Sequence, residues 1–445
     1  MPDLPVYNHV RLAMIKTLVF LLPFSVESEV FAGTMLRIPT EPIIGLLALI
    51  FVVDIWKHPS AFKWPVIKEF LWLLPLAASF AISLIFTAIP FVSVKFTAVN
   101  LMYIIVFYLL LMQVFKRHPL LYLQLLFLYG LGMLLVFFLA MYRYGQYEWN
   151  PVVIRGIFQP FFNDHTIYGA SAALLAIFWT SMVIMSTDKQ TRLTGMLLAP
   201  LFIAIVIVTT SRAAFLSLFV AAVFFSLFWL RLHVRHILLL LLATGLVVWM
   251  VSPLIVEQIR RIETVSYDPH AGLLERTGSA VNVTTDVSNR ERLNRWVSAW
   301  RMFRDKPLTG FGPGTYQFEY IPYQEPGLMN RLSVTNPHEV PEGSGGTAHS
   351  EYLLALSEMG VLGLVGWLVL LGRWTWVAFD RQKDRNRSLY AIVAFPALTT
   401  YMFHAFFNNF LTTDKFAFLF WGTAAWLVAG YHNTKEDENR LLPES

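Results

Sequence analysis

The residues of this chain best suited to chemistry are arginines and histidines gathered near the ends of apolar runs. Arg155 precedes Gly156-Ile157-Phe158, and Asn163, Asp164 and His165 open the next apolar stretch. Arg212 stands in Thr209-Thr210-Ser211-Arg212, between two apolar runs. Arg290, Arg292 and Arg295 fall in one polar segment, and His338 and His349 lie at its end. His404, Asn408 and Asn409 close a later apolar run. A guanidinium is planar, permanently charged and carries a fork of donors, so several convergent arginines suit phosphate. An imidazole titrates near neutral pH and suits a general base.

Each residue also has a plainer reading. A charge at membrane depth costs a few kcal/mol or more, and Arg212 escapes that cost either by snorkelling or by serving a ligand. Snorkelling is easier on the cytoplasmic side, where anionic lipids lie, so the outer position of Arg212 favours the ligand. Arg292 reads as a solvated helix face or a ligand group, and Arg155 as an interface anchor or a ligand group. Arg290 and Arg295 read as surface charges. His349 suits a base or a capping role. His338 lies in a Pro/Gly-rich loop, and His165 is equally suited to a structural role at a helix start. Glu351 and Glu358 follow His349, with Glu358 about two helical turns deeper. The chain has no cysteine, no close acidic pair on the outer side and no helix-borne histidine pair, so no metal and no cofactor is expected. P-loop, dinucleotide and Gly-x-Ser-x-Gly motifs are absent too.

These groups must be held by membrane helices. The 445 residues are 56% hydrophobic and only 14% charged, against about 25% charged in a soluble domain. The apolar residues come in runs, such as Ile237 to Met250 and Leu198 to Val208. Hydropathy predicts about twelve spans, near 10–26, 41–56, 69–89, 93–115, 119–142, 164–186, 194–210, 213–231, 236–252, 348–372, 388–410 and 416–431. The first has no small-residue cleavage site near Ser25 to Ala32 and reads as retained. Lys57, Lys63, Lys68, Lys116, Arg117, Lys189, Arg192, Arg231, Arg235, Arg373, Arg381, Lys383, Arg385 and Arg387 then fall in inside loops. Both termini are cytoplasmic on that reading. The net charge of +5 is accounted for by these loops and calls for no nucleic-acid partner.

The expected organisation is spans one to nine over 1–252, a helical outer segment over 253–346, spans ten to twelve over 347–432, and a cytoplasmic tail over 433–445. A loop of that length carries function more often than not. Ser288-Asn289-Arg290-Glu291 reads as a capping box. The helix it opens carries Arg292, Trp296 and Trp300 on one face and should stop near Lys306-Pro307. Gly310-Phe311-Gly312-Pro313-Gly314 predicts a tight turn.

His349-Ser350, nine residues, then Gly360-Val361-Leu362-Gly363 resembles the signature of the O-antigen ligase and polymerase superfamily. Arg292-Leu293-Asn294-Arg295-Trp296, followed by Lys306-Pro307-Leu308-Thr309-Gly310-Phe311-Gly312, is similar to that family's loop helix and its Pro-Leu-x-Gly-x-Gly turn. Ser211-Arg212-Ala213 resembles its Ser-Arg-Gly/Ala corner, with Ala213 at the commoner glycine. Arg155-Gly156-Ile157-Phe158 and Asn163-Asp164-His165-Thr166 resemble its segment before a mid-chain span.

The resemblance implies an all-α integral membrane protein of the C-type glycosyltransferase fold, with one large periplasmic loop between spans nine and ten. It implies a multi-pass enzyme of the bacterial inner membrane, with its active site facing the periplasm. The donor would be an undecaprenyl-diphosphate-linked glycan and the acceptor lipid A–core oligosaccharide. The transfer would invert the anomeric carbon without a metal. Carried onto this chain, Arg212 and Arg292, with Arg155, bind the diphosphate, and His349 or His338 is the base. Glu351, Tyr352, His165, Asn163 and Trp296 are supporting candidates. A polymerase of the same superfamily is the nearest alternative. A lipid-linked glycan transporter is the alternative from another class, though no inverted repeat favours it.

Overall fold

The computed structural model describes residues 5–31, 34–57, 64–150, 153–230, 287–330, 332–336, 346–382 and 389–432. The chain runs through α1 (Pro5–Leu21), α2 (Thr40–Lys57), α3 (Trp64–Ile85) and α4 (Pro90–Tyr103). A π-helical stretch, Ile104–Leu110, joins α4 to α5 (Leu111–Arg117). Then come α6 (Leu121–Gln146), α7 (His165–Met185), α8 (Lys189–Thr209) and α9 (Arg212–Trp229). Beyond 286 lie α10 (Val287–Asp305), the short α11 (Tyr316–Glu319), α12 (Glu351–Gln382), α13 (Leu389–His404) and α14 (Asp414–His432).

Seven helical stretches among the described residues are long and apolar enough to cross a membrane: α3 from Lys68, α4–α5, α6, α7, α8, α9 and α12 to Asp380. The expected ninth span, 236–252, lies outside the described residues. Each of the other expected spans falls on a helix.

Burial separates a core from a rim. The most apolar window of α7 is 83% buried within the protein, that of α9 only 28%. The outward face of α8 and α9 carries Leu193, Leu197, Leu216 and Phe219, all exposed. So large an apolar rim is unstable in water and natural in lipid, where helices satisfy their own backbone groups. At the centre, α7, α13 and α14 are buried along most of their length. Aromatic contacts fasten the middle: Tyr122 against Trp426 at 5.3 Å, and Trp374 against Trp421 at 5.6 Å.

Several sequence expectations need correction. A β-hairpin, β1 (Val26–Phe31) and β2 (Thr34–Ile38), pairs antiparallel with Val26 opposite Ile38, where the sequence predicts only a connection between spans. It covers a polar network. Arg37 reaches Glu27 at 2.5 Å and Glu41 at 3.2 Å, and the Tyr103 hydroxyl donates to Glu41 at 2.9 Å. Lys415 donates to the Ser25 carbonyl at 2.8 Å, and the Ser25 hydroxyl donates to Asp414 at 2.7 Å. Arg373 is not a loop cation. It lies within α12, buried, and pairs with Glu69.

The capping box is also revised. Glu291 accepts from Arg295 Nε at 2.8 Å and from the Ser333 hydroxyl at 2.7 Å, so both carboxylate oxygens are engaged by other side chains. Arg295, read as a surface charge, is fully buried. It donates to the Thr347 carbonyl at 2.9 Å and lies 5.3 Å from the Tyr320 ring. The helix stops at Asp305, as the Lys306-Pro307 signal predicts.

Candidate functional site

The site is assembled where helix ends meet. Asp164 caps α7, accepting from the Thr166 and Ile167 amides. Ser211 caps α9, accepting from Ala214 N–H. Between α8 and α9, Thr210 takes a left-handed conformation at φ +51°, so one helix turns directly into the next. The corner leaves Arg212 at the first position of α9. Helix N-termini present unsatisfied N–H groups and partial positive charge, which favours anions.

Electrostatic interactions tie these corners together. The Arg155 backbone hydrogen-bonds His165, and the Arg155 and Arg292 side chains both act on that imidazole. Arg292 and Asp164 act on His404, whose ring lies against the Ala213 backbone beside Arg212. Arg155, His165, Arg212 and Arg292, drawn from three separate segments of the sequence, are thereby brought to one end of the bundle together with His404.

His349 joins from the turn before α12. Its backbone sits at φ +50°, a left-handed conformation uncommon for a residue with a side chain. Such strain persists only where surrounding contacts fix it, and it concentrates at functional positions. Here Trp296 Nε1 of α10 donates to the His349 carbonyl at 3.3 Å. The Trp296 ring lies 6.1 Å from that of Phe407. The Glu351 amide donates to the Ala405 carbonyl at 2.9 Å, which seats the turn on the end of α13.

Glu351 and Tyr352 brace that seat. One Glu351 oxygen accepts from the Tyr401 hydroxyl at 2.5 Å and from the Leu411 amide at 3.0 Å. The Tyr352 hydroxyl donates to the Met402 carbonyl at 2.8 Å, and its ring packs on Phe406. Asn163 is exposed and borders a small, partly open pocket lined by Arg37, Phe161, Phe162 and Lys415. His338 lies outside the described residues. Among the described residues, no three His, Cys, Asp or Glu side chains cluster to hold a metal ion.

The glycine motifs prove to be one interlock. The Phe311 amide donates to the Ser357 carbonyl at 3.1 Å, Gly312 to Glu358 at 2.9 Å, and Val361 to Pro307 at 2.8 Å. Glu358 accepts from the Gly314 and Tyr316 amides at 2.8 and 3.0 Å. Gly360 breaks α12 at φ +66°, and a Cβ there would lie 2.4 Å from the Leu308 carbonyl oxygen. A Cβ on Gly310, at φ +65°, would lie 2.2 Å from the Glu358 backbone. Only glycine permits this approach of two backbones. The spacing of each motif is visible in the sequence, but their mutual docking is not.

Sequence reasoning names His404 but assigns it no role, and it misses the internal use of Arg295. The signal for His404 is its place at the end of an apolar run beside two asparagines.

The fold and site together define a class: a helical membrane protein with an arginine- and histidine-rich site where helix ends converge. Residues 195–368 match the family model described as O-antigen ligase. The matched stretch includes Arg212, Arg292 and His349, whereas Arg155, Asn163, His165 and His404 lie outside it. No curated protein matches the chain.

Proposed function

We propose that this chain is an O-antigen ligase. It takes a glycan from an undecaprenyl diphosphate carrier and transfers it to a sugar hydroxyl of lipid A–core oligosaccharide. In this reading it is a C-type glycosyltransferase of the bacterial inner membrane with twelve spans and cytoplasmic termini. Its 253–346 segment and catalytic face lie in the periplasm. The observation that carries the reading is that Arg155 and Arg292 act on His165, that Arg292 also acts on His404 beside the Arg212 corner, and that the left-handed His349 turn is seated at Ala405, next to His404.

The chemistry follows from the groups present. The acceptor oxygen attacks the anomeric carbon while the bond from that carbon to the diphosphate oxygen breaks. Attack from the opposite face inverts the configuration. His349 takes the proton of the attacking hydroxyl, and the electron pair of the broken bond leaves on the diphosphate. Arg212 and Arg292, with Arg155, stabilise that growing negative charge, a role a metal plays elsewhere. Trp296, Glu351 and Tyr352 hold the His349 turn, and His165 lies beside the diphosphate arginines.

The test mixes purified protein, undecaprenyl-diphosphate-linked glycan and lipid A–core, with EDTA and without nucleotide. A heavier lipopolysaccharide band, lost in a folded His349→Ala variant, is the expected result. Longer carrier-linked chains in its place would mark a polymerase. Near-normal transfer by His349→Ala would move the base to another residue, His338 first.

A further inference from the structure

The corner after α13 holds a cluster of buried polar atoms without hydrogen-bond partners among the described residues. They are both ring nitrogens of His404 and the Nδ2 atoms of Asn408 and Asn409. His404 is 1% exposed, Asn408 4% and Asn409 9%. The His404 ring approaches the Ala213 backbone, yet neither nitrogen reaches a partner with hydrogen-bond geometry. Nδ1 of His165, in the same neighbourhood, is likewise unpartnered. Buried donors are rarely left unmade, because desolvation is then uncompensated. A group of them at one corner calls for a ligand that completes them.

The atom types say what that ligand is. An amide nitrogen only donates, and a neutral imidazole offers one N–H. The corner therefore presents donors and wants acceptors. It lies against Ala213, next to Arg212, and within the field of Arg292, which acts on His404 more strongly than the opposing Asp164 carboxylate does. An anion rich in oxygen acceptors suits the unmade donors and the arginines at once.

We propose that His404, Asn408 and Asn409 form an uncharged subsite that hydrogen-bonds the phosphoryl oxygens of a lipid-linked diphosphate. The proposal rests on reading the neighbouring arginines as a diphosphate site. Arginines supply charge, and the neutral donors fix orientation. The subsite belongs to donor binding, and His404 is not the base for the acceptor.

Undecaprenyl diphosphate without glycan is the probe, bound to the purified full-length protein and followed by thermal-shift titration. His404→Phe keeps the ring volume and removes both nitrogens. The expected result is an unliganded Tm at or above wild type, with a Kd weakened about tenfold or more, the loss of one hydrogen bond to a charged group. His404→Gln, which restores a donor, should recover part of the affinity. Asn408→Leu should repeat the pattern of His404→Phe. A lowered Tm with unchanged Kd, or failure of both His404→Phe and Asn408→Leu to fold, overturns the proposal, since structural hydrogen bonds behave that way. If Arg212→Ala and Arg292→Ala weaken binding while His404→Phe does not, the proposal fails and the arginine site stands. If wild type does not bind the probe, both fail.

Discussion

Arg295 offers a sharp test because the sequence reads it as a surface charge and the fold buries it. Its side chain is 0% exposed and that of Glu291 3%, with Nε and Oε1 2.8 Å apart. Arg295 also donates to Thr347, two positions before His349. Arg295→Ala leaves the Glu291 carboxylate buried with only the Ser333 hydroxyl and removes the donor to Thr347. Breaking a buried pair from one side costs about 3–5 kcal/mol, a large part of a typical domain stability of roughly 5–15 kcal/mol. At about 1.4 kcal/mol per decade, opening of the segment that α10 begins rises ~100-fold or more. Limited proteolysis of residues 287–350 in detergent reads this directly, with thermal inactivation as a second measure. The variant should be cleaved far faster than wild type and should lose transfer activity as the His349 turn loosens. Combining Glu291→Leu with Arg295→Met removes both charges, and apolar replacement of a whole buried pair is often neutral. The double variant should therefore recover most of the lost stability. Cleavage of Arg295→Ala at the wild-type rate, or a double variant no better than the single, would refute the reasoning.

Trp296→Phe keeps the ring beside Phe407 but deletes the donor to the His349 carbonyl. A loss of about 1 kcal/mol corresponds to roughly fivefold slower transfer at nearly unchanged Tm, and an unaltered rate would show that this bond does not orient His349. Glu351→Gln retains an oxygen for Tyr401 and Leu411, so most activity should survive, whereas Glu351→Ala should lower both Tm and rate. A Glu351→Gln defect as deep as that of His349→Ala would assign the carboxylate a proton-transfer role. Gly360→Ala forces a left-handed alanine against the Leu308 carbonyl; the conformation alone costs about 1–2 kcal/mol and the clash adds to it. Its Tm should fall well below wild type, and a wild-type Tm would dispose of the backbone interlock.

Local signals in the sequence carry far, and long-range ones do not. Apolar runs locate the helices, because composition alone distinguishes a lipid-facing stretch. The Lys306-Pro307 stop is legible because the restriction acts on neighbouring residues. Arg155, Arg212, Arg292 and His349 can be picked out as charged or titratable groups at the ends of apolar runs. What cannot be read is pairing across distance. Ser288 with Glu291 matches the capping-box pattern, and only the fold shows that Arg295 and Ser333 claim the carboxylate oxygens. The hairpin at Val26–Ile38 escapes because its strands are short and continue the polar edge of the first apolar run. The partners of Arg37 lie on α2, α4, β1 and the turn before α14, that of Lys415 is Ser25 just before β1, and no local pattern joins them. His404 is visible in the sequence, but its unsatisfied nitrogens are a property of burial.

The candidate site has two halves of different origin, and that division explains the residues around it. Arg212, His165 and His404 belong to helices packed within the apolar bundle, fixed by the caps of α7 and α9 and by the packing of α13. Arg292 and Trp296 come on α10, a polar helix with no apolar face long enough to enter lipid. His349 lies at the seam. A transfer reaction tolerates little drift between its charged groups and its base, since misplacement of about 1 Å can cost a hundredfold in rate. The bundle cannot supply that registration by hydrophobic packing alone, because α10 is largely polar. Directional contacts must supply it. Two sets do so: the backbone interlock of 307–316 with 357–361, and the Glu291–Arg295–Thr347 chain leading to His349. The glycines of both motifs then act on the reaction through distance and not through contact with substrate. Their substitution should lower turnover in proportion to the loss of order at His349, while Arg212 of the bundle half keeps its place.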